Sequence, residues 1–159
     1  MAVEIERKFL VKGDAWRELG VGKVYRQGYI HAEKSKTVRV RIIDKQGYLT
    51  IKGASVGTAR KEFEYPIPLE DAQEMLAELC DTPLIEKKRY KIPFAGLVWE
   101  VDEFFGENQG LIMAEVELTE INQKVTVPDW IGAEVSHDTR YFNSNLSKNP
   151  YRQWQENIS

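Results

Sequence analysis

Carboxylates recur in pairs, two positions apart, along this sequence. The four pairs are Glu4 and Glu6, Glu62 and Glu64, Glu100 and Asp102, and Glu115 and Glu117. Side chains two apart in a β-strand point to the same face, so the carboxylates of each pair repel one another unless a cation lies between them. A hard divalent metal ion is the cation that carboxylate oxygens favour. The acidic pairs therefore predict a divalent metal site.

Basic residues show the same spacing. They are Arg39 and Arg41, and Lys87 and Arg89, with Lys8, Lys52 and Arg60 on other segments of the same kind. Neighbouring cations on one strand face require an anion, and phosphate suits both residue types. Arg binds phosphate through two parallel N–H bonds, whereas Lys offers a movable point charge. The basic pairs therefore predict a polyanionic ligand.

The segments that carry these pairs alternate with period two and predict about eight strands. They cover residues 3–10, 24–30, 37–43, 48–51, 61–66, 85–92, 97–104 and 112–118. Short polar turns at 44–47 and 94–96 predict hairpins, and hence antiparallel pairing. Helices are predicted over 69–79, directly after Pro68, and over about 136–145.

The face opposite the charged one is almost entirely apolar, as in Val38, Val40 and Ile42. One interpretation is an open sheet with one face in water. A face in water usually mixes its charges with Ser, Thr, Asn and Gln and alternates their signs, whereas the acids here come in adjacent pairs. We therefore predict an α+β fold, a closed eight-stranded antiparallel β-barrel with a charged interior and helices packed outside. Unpaired buried ions are costly, so that interior must hold water, metal and ligand.

The bulk composition limits the choice of function. The chain has 159 residues, with 22 basic and 25 acidic residues giving a net charge of -3, which disfavours a nucleic-acid binder. One cysteine, Cys80, fits a reducing compartment, and the N-terminus carries no apolar run typical of a signal peptide or membrane span. We expect a cytoplasmic protein with one domain over 1–159, whose polar end from about residue 151 is a candidate for disorder.

In order along the chain, these motifs resemble the CYTH superfamily of triphosphate tunnel metalloenzymes. The family's ExExK stands here as Glu4, Glu6 and Lys8, and QGY as Gln27 to Tyr29. The later motifs are RxR (Arg39, Arg41), TxK (Thr50, Lys52), RxExE (Arg60, Glu62, Glu64), KxRY (Lys87, Arg89, Tyr90), ExD (Glu100, Asp102), ExE (Glu115, Glu117) and DxRY (Asp138, Arg140, Tyr141). The resemblance implies a tunnel fold and covers the chain from Glu4 to about Leu146.

The resemblance also implies roles for these residues. The triphosphate would be held by Lys8, Arg39, Arg41, Lys52, Lys87, Arg89 and Arg140. One or two Mg²⁺ or Mn²⁺ ions would be held by Glu4, Glu6, Asp102, Glu115 and Glu117, with Glu62 and Glu64 either joining the metal site or balancing the bases. Catalysis is expected to involve Glu4 and Glu6 with the metal, and Lys8 or Lys52 as proton donor to the leaving phosphate.

Several functions are compatible with this resemblance. Hydrolysis of inorganic tripolyphosphate is favoured because the motifs address only phosphates. The alternatives are a thiamine or nucleoside triphosphatase, an adenylate cyclase of the class IV type, or a non-catalytic module that binds polyphosphate. We expect a small-molecule triphosphate as partner, no nucleic acid or membrane, and a monomer or homodimer. Tyr29 is expected either in the tunnel wall or in a structural position.

Overall fold

The computed structural model describes residues 3–156, which form a closed ring of antiparallel strands. The strands are β1 (Val3–Val11), β2 (Gly22–Glu33), β3 (Lys36–Ile43), β4 (Gln46–Gly53), β5 (Ala59–Ile67), β6 (Ile85–Phe94), β7 (Leu97–Phe104), β8 (Ile112–Glu117) and β9 (Ile131–Glu134). The ring follows the order β1, β5, β4, β3, β2, β6, β7, β8, and β8 pairs back with β1. The predicted eight-stranded antiparallel ring is confirmed.

Strand β1 closes the ring by pairing differently along its length. Its first residues pair with β5, from Val3 opposite Lys61 to Ile5 opposite Ala59. Further along the same edge, Phe9 and Val11 pair with β9, a short strand that the sequence did not predict. The other edge of β1 pairs with β8. Each strand of the ring thus has a neighbour on both sides, and its two faces become an inside and an outside.

The two predicted hairpins form where the turn residues allow them. Between β6 and β7, Ala95 and Gly96 have φ angles of 49° and 83°, the positive values that a two-residue turn with the twist of the flanking strands requires. Between β3 and β4, Asp44 has a φ of 54°, a conformation that Asp tolerates better than most residues. Both hairpins place consecutive charged strands side by side.

The outer face of the ring is apolar and is covered in two places. On β1, β7 and β8 the outward side chains pack against Trp16, in a 3₁₀ turn, and against Trp130 and Ile131 at β9. On β3, Val40 is covered by Ala72 and Leu76 of α1 (Leu69–Glu78), the helix predicted after Pro68. These two layers bury the apolar half of the alternation.

The C-terminal segment lies at one end of the ring. Inward positions of β6, β7 and β8 become apolar at this end, where Ile85, Phe104 and Met113 pack against Leu146 and Trp154. The packing helices are α2 (Asn143–Lys148) and α3 (Tyr151–Glu156). Within residues 3–156, no helix has the length and apolarity needed to span a membrane.

Two expectations for this segment differ from the structure. The helix predicted over 136–145 is instead a 3₁₀ turn at Thr139–Tyr141 followed by α2, because Phe142 between them is extended, with φ -70° and ψ 134°. The end of the chain from Tyr151, a candidate for disorder, forms α3 as far as the described residues extend. Trp154 explains the difference, since its buried ring packs edge-on against Tyr141 and Tyr151.

Candidate active site

The inward charged side chains line one cavity that is open to solvent. The predicted residues that line it are Glu4, Glu6, Lys8, Arg39, Arg41, Lys52, Arg60, Lys87, Arg89 and Glu115. They come from β1, β3, β4, β5, β6 and β8, so only closure of the ring brings them together. The cavity is the candidate active site.

The carboxylates of Glu4, Glu6 and Glu115 line this cavity, and we call them, together with Glu117 beside the cavity, the acidic cluster. Glu6 lies directly opposite Glu117 in the β1–β8 pair. Burial, and next the charge of Glu115, raise the pKa of Glu6 to about 7. Partial burial, followed by the charges of Glu4, Glu100 and Glu6, also raises the pKa of Glu117. Neighbouring carboxylates therefore add to the effect of burial at Glu6 and Glu117.

Two lysines partly offset the acidic cluster. The Nζ atom of Lys8 lies 3.2 Å from Glu115 Oε1 and 3.6 Å from Glu6 Oε1. Burial opposes the charge of Lys8, but Glu115 and Glu6 outweigh it and hold the lysine's pKa above its ordinary value. The Nζ atom of Lys52 donates to both carboxylate oxygens of Glu4 at 3.0 Å and lies 3.3 Å from Glu62 Oε2. Each of these lysines therefore contacts two carboxylates.

Positive charges lie close together at Arg39, Arg41, Lys87 and Arg89, which we call the basic cluster. Burial, followed by the charges of Arg39 and Arg89, lowers the pKa of Arg41 to about 10. Among the described residues, Arg41 has no carboxylate within 4.0 Å, and its Nε donates to Gln27 Oε1 at 2.7 Å. The Nε atom of Arg39 is also buried, and within residues 3–156 it has no hydrogen-bond partner. This side of the cavity is arranged for an anion.

Lys87 belongs to the basic cluster and is fully buried. Its Nζ donates to Asp102 at 2.8 Å, which favours the ammonium form. Burial and the nearby charge of Arg89 outweigh that carboxylate, because Arg89 shares it, and they lower the pKa of Lys87 to about 7. The pKa values of the two cavity lysines Lys8 and Lys87 are thus shifted in opposite directions, upward for Lys8 and downward for Lys87.

Asp102 was predicted as a metal ligand, and in the structure its carboxylate contacts two cations of the basic cluster. Its carboxylate is 0% exposed and accepts N–H bonds from Lys87 Nζ at 2.8 Å and from Arg89 Nε and Nη2 at 2.7 and 2.8 Å. The two cations hold its pKa below the ordinary value although burial alone would raise it. Its oxygens already neutralise two buried cations, so Asp102 is the counter-ion of the basic cluster.

Arg140 was predicted to bind substrate, but it lies away from the cavity. Its side chain is 58% exposed, forms an ion pair with Asp138 at 2.7 Å, and stacks over the ring of Trp154. The reason is local, because Asp138 caps the 3₁₀ turn by accepting from the Arg140 backbone N–H, which directs Arg140 outward. The residues that follow, Phe142, Asn143 and Ser144, line the cavity in its place.

Glu62 and Glu64 balance bases in this structure. Glu62 lies 3.3 Å from Lys52, and Glu64 accepts from Thr50 Oγ1 at 3.1 Å and lies 3.5 Å from Arg39. Of the two roles that the resemblance left open for them, their contacts match the second. Neither side chain lines the cavity within the described part of the chain.

Several cavity residues were not predicted from the charge pattern. Asn143, Phe142 and Ser136 come from the C-terminal segment, whose sequence has no strand periodicity to reveal which side chains face inward. Tyr29 does lie in the cavity wall, at an inward position of β2, which resolves the choice left open for it. Gln27 is buried two residues earlier on the same face, and the β2 alternation could have indicated it.

The donor atoms of the acidic cluster fit a divalent metal ion. Among residues 3–156, no three Asp, Glu, His or Cys side chains are already arranged as a preformed metal site. Burial first, and then the charge of neighbouring carboxylates, raises the pKa values of Glu4, Glu6 and Glu117, and a bound cation would stabilise their ionised forms. Oxygen donors of this kind suit Mg²⁺ or Mn²⁺.

A family model for the CYTH domain matches residues 2–150 of the chain. The chain belongs to the CYTH domain family. This CYTH domain is 56% identical over 156 residues to an inorganic triphosphatase of Acetivibrio thermocellus, and the match covers 98% of this chain and 100% of that protein. The resemblance stated from the sequence motifs is thereby confirmed.

Solved structures of other proteins share its fold. The crystal structure of the inorganic triphosphatase NE1496 is 32% identical with a TM-score of 0.63, over 92% of this chain and 95% of that chain. A putative adenylate cyclase from Bacillus halodurans is 16% identical with a TM-score of 0.60, over 81% of this chain and 97% of that chain. The second likeness concerns the fold alone.

Proposed function

We propose that this CYTH domain is a divalent-metal-dependent triphosphatase that hydrolyses inorganic tripolyphosphate to pyrophosphate and phosphate. One observation carries the proposal: a single cavity is lined both by the neighbouring carboxylates Glu4, Glu6 and Glu115 and by the bases Arg39, Arg41, Lys87 and Arg89. A ligand that suits both sets must present a cation to the acids and a polyanion to the bases. A metal-bound phosphate chain has that charge distribution.

The basic cluster would bind the phosphate oxygens. Arg39 and Arg41 are held on adjacent inward positions of β3, and Arg89 is fixed by Asp102 on the neighbouring wall. Such preorganised donors stabilise charge on a transferring phosphoryl group without reorganising during the reaction. Binding and alignment supply most of what phosphoryl transfer asks of a protein.

The acidic cluster would hold the metal through Glu4, Glu6 and Glu117, with Glu115 beside them. When bound, the divalent ion supplies Lewis-acid stabilisation of charge on the phosphate oxygens. Lys8 and Lys52 keep two of these carboxylates oriented by direct contact with Glu115 and Glu4.

Protonation of the leaving phosphate is better suited to Lys87 than to the two lysines predicted for it. An acid catalyst works best when its pKa lies near the working pH, and the pKa of Lys87 is lowered to about 7. Lys8, by contrast, is held as a cation by Glu115 and Glu6. We infer that Lys8 and Lys52 bind and orient, while Lys87 donates the proton.

The substrate preference has two sources of support. The relatives above include proteins described as inorganic triphosphatases, one of them 56% identical over nearly the whole chain. In addition, Phe142, an aromatic ring in the cavity, already stacks with Lys8 Nζ at 5.3 Å from its centroid, which leaves that face unsuited to a nucleobase. A cytoplasmic location, a monomer or homodimer, and no nucleic-acid or membrane partner stay predictions from the sequence.

Release of phosphate and pyrophosphate from tripolyphosphate, ATP and thiamine triphosphate, with Mg²⁺ and with Mn²⁺, tests the proposal. We expect tripolyphosphate to give the highest kcat/KM, and EDTA to abolish turnover. Cyclic AMP and pyrophosphate from ATP would favour a cyclase, and tight tripolyphosphate binding with no turnover would favour a binding module. Either result contradicts the proposal.

A matched pair of variants ties the activity to the cavity. Arg41→Ala removes an inward guanidinium and should lower kcat/KM by roughly two orders of magnitude, a scale expected for a charged group that contacts the transferring phosphate. Arg26→Ala on β2 is the control, because Arg26 is exposed and pairs with Glu86 at 3.6 Å on the outside of the ring. Equal effects of the two substitutions would remove the cavity from the mechanism.

A further inference from the structure

Asn143 connects the C-terminal segment to the basic cluster. Its Oδ1 accepts from Lys87 Nζ at 3.1 Å and from Gln27 Nε2 at 3.3 Å. Gln27 in turn accepts from Arg41 Nε at 2.7 Å through its own amide oxygen. All four side chains are buried, and Asn143 also lines the cavity. One neutral amide oxygen therefore contacts Lys87 directly and Arg41 through a single intermediate side chain.

The neutrality of this acceptor matters for anion binding. Asp102 supplies a carboxylate to Lys87 and Arg89, whereas the link from Asn143 to Arg41 contains only amides. An amide oxygen fixes the direction of an N–H donor without cancelling its positive charge. A carboxylate at the same place would form ion pairs with Lys87 and compete with the substrate's phosphate oxygens for it.

We propose that Asn143 is a positioning residue, which aligns Lys87 directly and Arg41 through Gln27 without adding a second carboxylate, beside Asp102, that would compete with the substrate phosphates for these bases. This inference rests on the proposed function and extends it to a residue outside the charged strand motifs. It also gives the C-terminal segment a role in binding, since the same segment that packs Leu146 into the end of the ring delivers Asn143 to the cavity.

A purely structural role for Asn143 makes a different prediction. In that case its function is to hold α2 against the ring, as Leu146 and Ser147 do by packing and by a hydrogen bond from Ser147 Oγ to the Pro83 carbonyl at 3.4 Å. Aspartate would then be a good replacement, because it has the same shape and still accepts from both Lys87 and Gln27. A positioning role that depends on neutrality predicts that aspartate folds well and binds poorly.

The test compares Asn143→Asp, Asn143→Ala and the control Ser147→Ala in steady-state kinetics with tripolyphosphate and in thermal unfolding. We expect Asn143→Asp to keep a melting temperature near that of the unaltered chain and to raise KM at least roughly tenfold, a typical effect of a like charge placed beside a bound anion. Asn143→Ala should lower kcat by roughly tenfold, because Lys87 and Gln27 lose their shared acceptor. Ser147→Ala should change neither constant by more than about twofold.

An unchanged KM in a folded Asn143→Asp protein overturns the inference. The inference also fails if the activities of the three variants decrease only in proportion to their losses of thermal stability. If Asn143→Asp does not fold, Gln27→Glu places the charge next to Arg41 and should raise KM in the same way. Calorimetric titration with tripolyphosphate in EDTA distinguishes a failure of the proposed function from a failure of the inference about Asn143. An unaltered chain that binds tripolyphosphate without hydrolysing it contradicts the proposed function, while weaker binding by Asn143→Asp still supports the inference.

Discussion

Replacing Asp102 by asparagine distinguishes a counter-ion from a metal ligand. The carboxylate is 0% exposed and accepts three N–H bonds of 2.7 to 2.8 Å, one from Lys87 and two from Arg89. Asparagine keeps the shape of the side chain but removes its charge. The substitution therefore leaves the Lys87 amine and the Arg89 guanidinium around one neutral amide.

The expected loss of stability follows from that geometry. Removing one partner of a buried ion pair costs about 3–5 kcal/mol, because the remaining charge is left uncompensated. For a domain of this length each kcal/mol lowers the melting temperature by roughly 2–4 °C, so we expect a fall of roughly 6–20 °C. The total free energy of unfolding of a domain is about 5–15 kcal/mol, so the variant should remain folded in the cold.

Urea and thermal unfolding in EDTA at neutral pH measure this loss without any contribution from bound metal. The control is Glu103→Gln on the same strand, whose carboxylate pairs with Arg17 on the outside of the ring at 2.9 Å and should cost about 1 kcal/mol or less. An Asp102→Asn protein as stable as the unaltered chain in EDTA, but no longer stabilised by Mg²⁺ or Mn²⁺, would refute the counter-ion role. It would restore Asp102 as a metal ligand.

Three further predictions concern other parts of the molecule. Arg140→Ala should leave kcat/KM within about twofold, because the side chain is 58% exposed and paired with Asp138, and a loss of roughly tenfold in the triphosphatase assay would place it at the substrate. In EDTA, Glu6 contributes stability that is present below pH 4.5 and lost as the pH rises through its pKa of about 7, because burial and Glu115 disfavour its charged form. Glu6→Gln should therefore melt higher than the unaltered chain above pH 7, by an amount equivalent to on the order of 3 kcal/mol, and identical pH profiles of melting temperature would contradict this. Trp154→Ala should cost about 3–5 kcal/mol in urea unfolding because the ring is buried between Tyr141 and Tyr151, whereas a disordered tail would give no change.

Most of the ring could be predicted because alternation in a strand is a local property. A residue's neighbours two positions away share its face whatever the rest of the chain does, so Arg39 and Arg41 had to point together and away from Val40. The C-terminal segment lacks that constraint. Trp154 and Asn143 take their positions from packing and hydrogen bonds with strands far away in the sequence, which no local pattern contains.

The sequence by itself determined the two faces of each strand, and with them the charged interior, the apolar exterior and the pairing of like charges that requires a cation and a polyanion. Only the tertiary structure decided which charged side chains lie next to one another. Asp102 and Glu6 are both inward carboxylates, yet register places Asp102 between Lys87 and Arg89 and places Glu6 against Glu117. Electrostatic interactions depend on distance and burial, which closure of the ring sets, so the same residue type became a counter-ion at one position and a candidate metal ligand at the other.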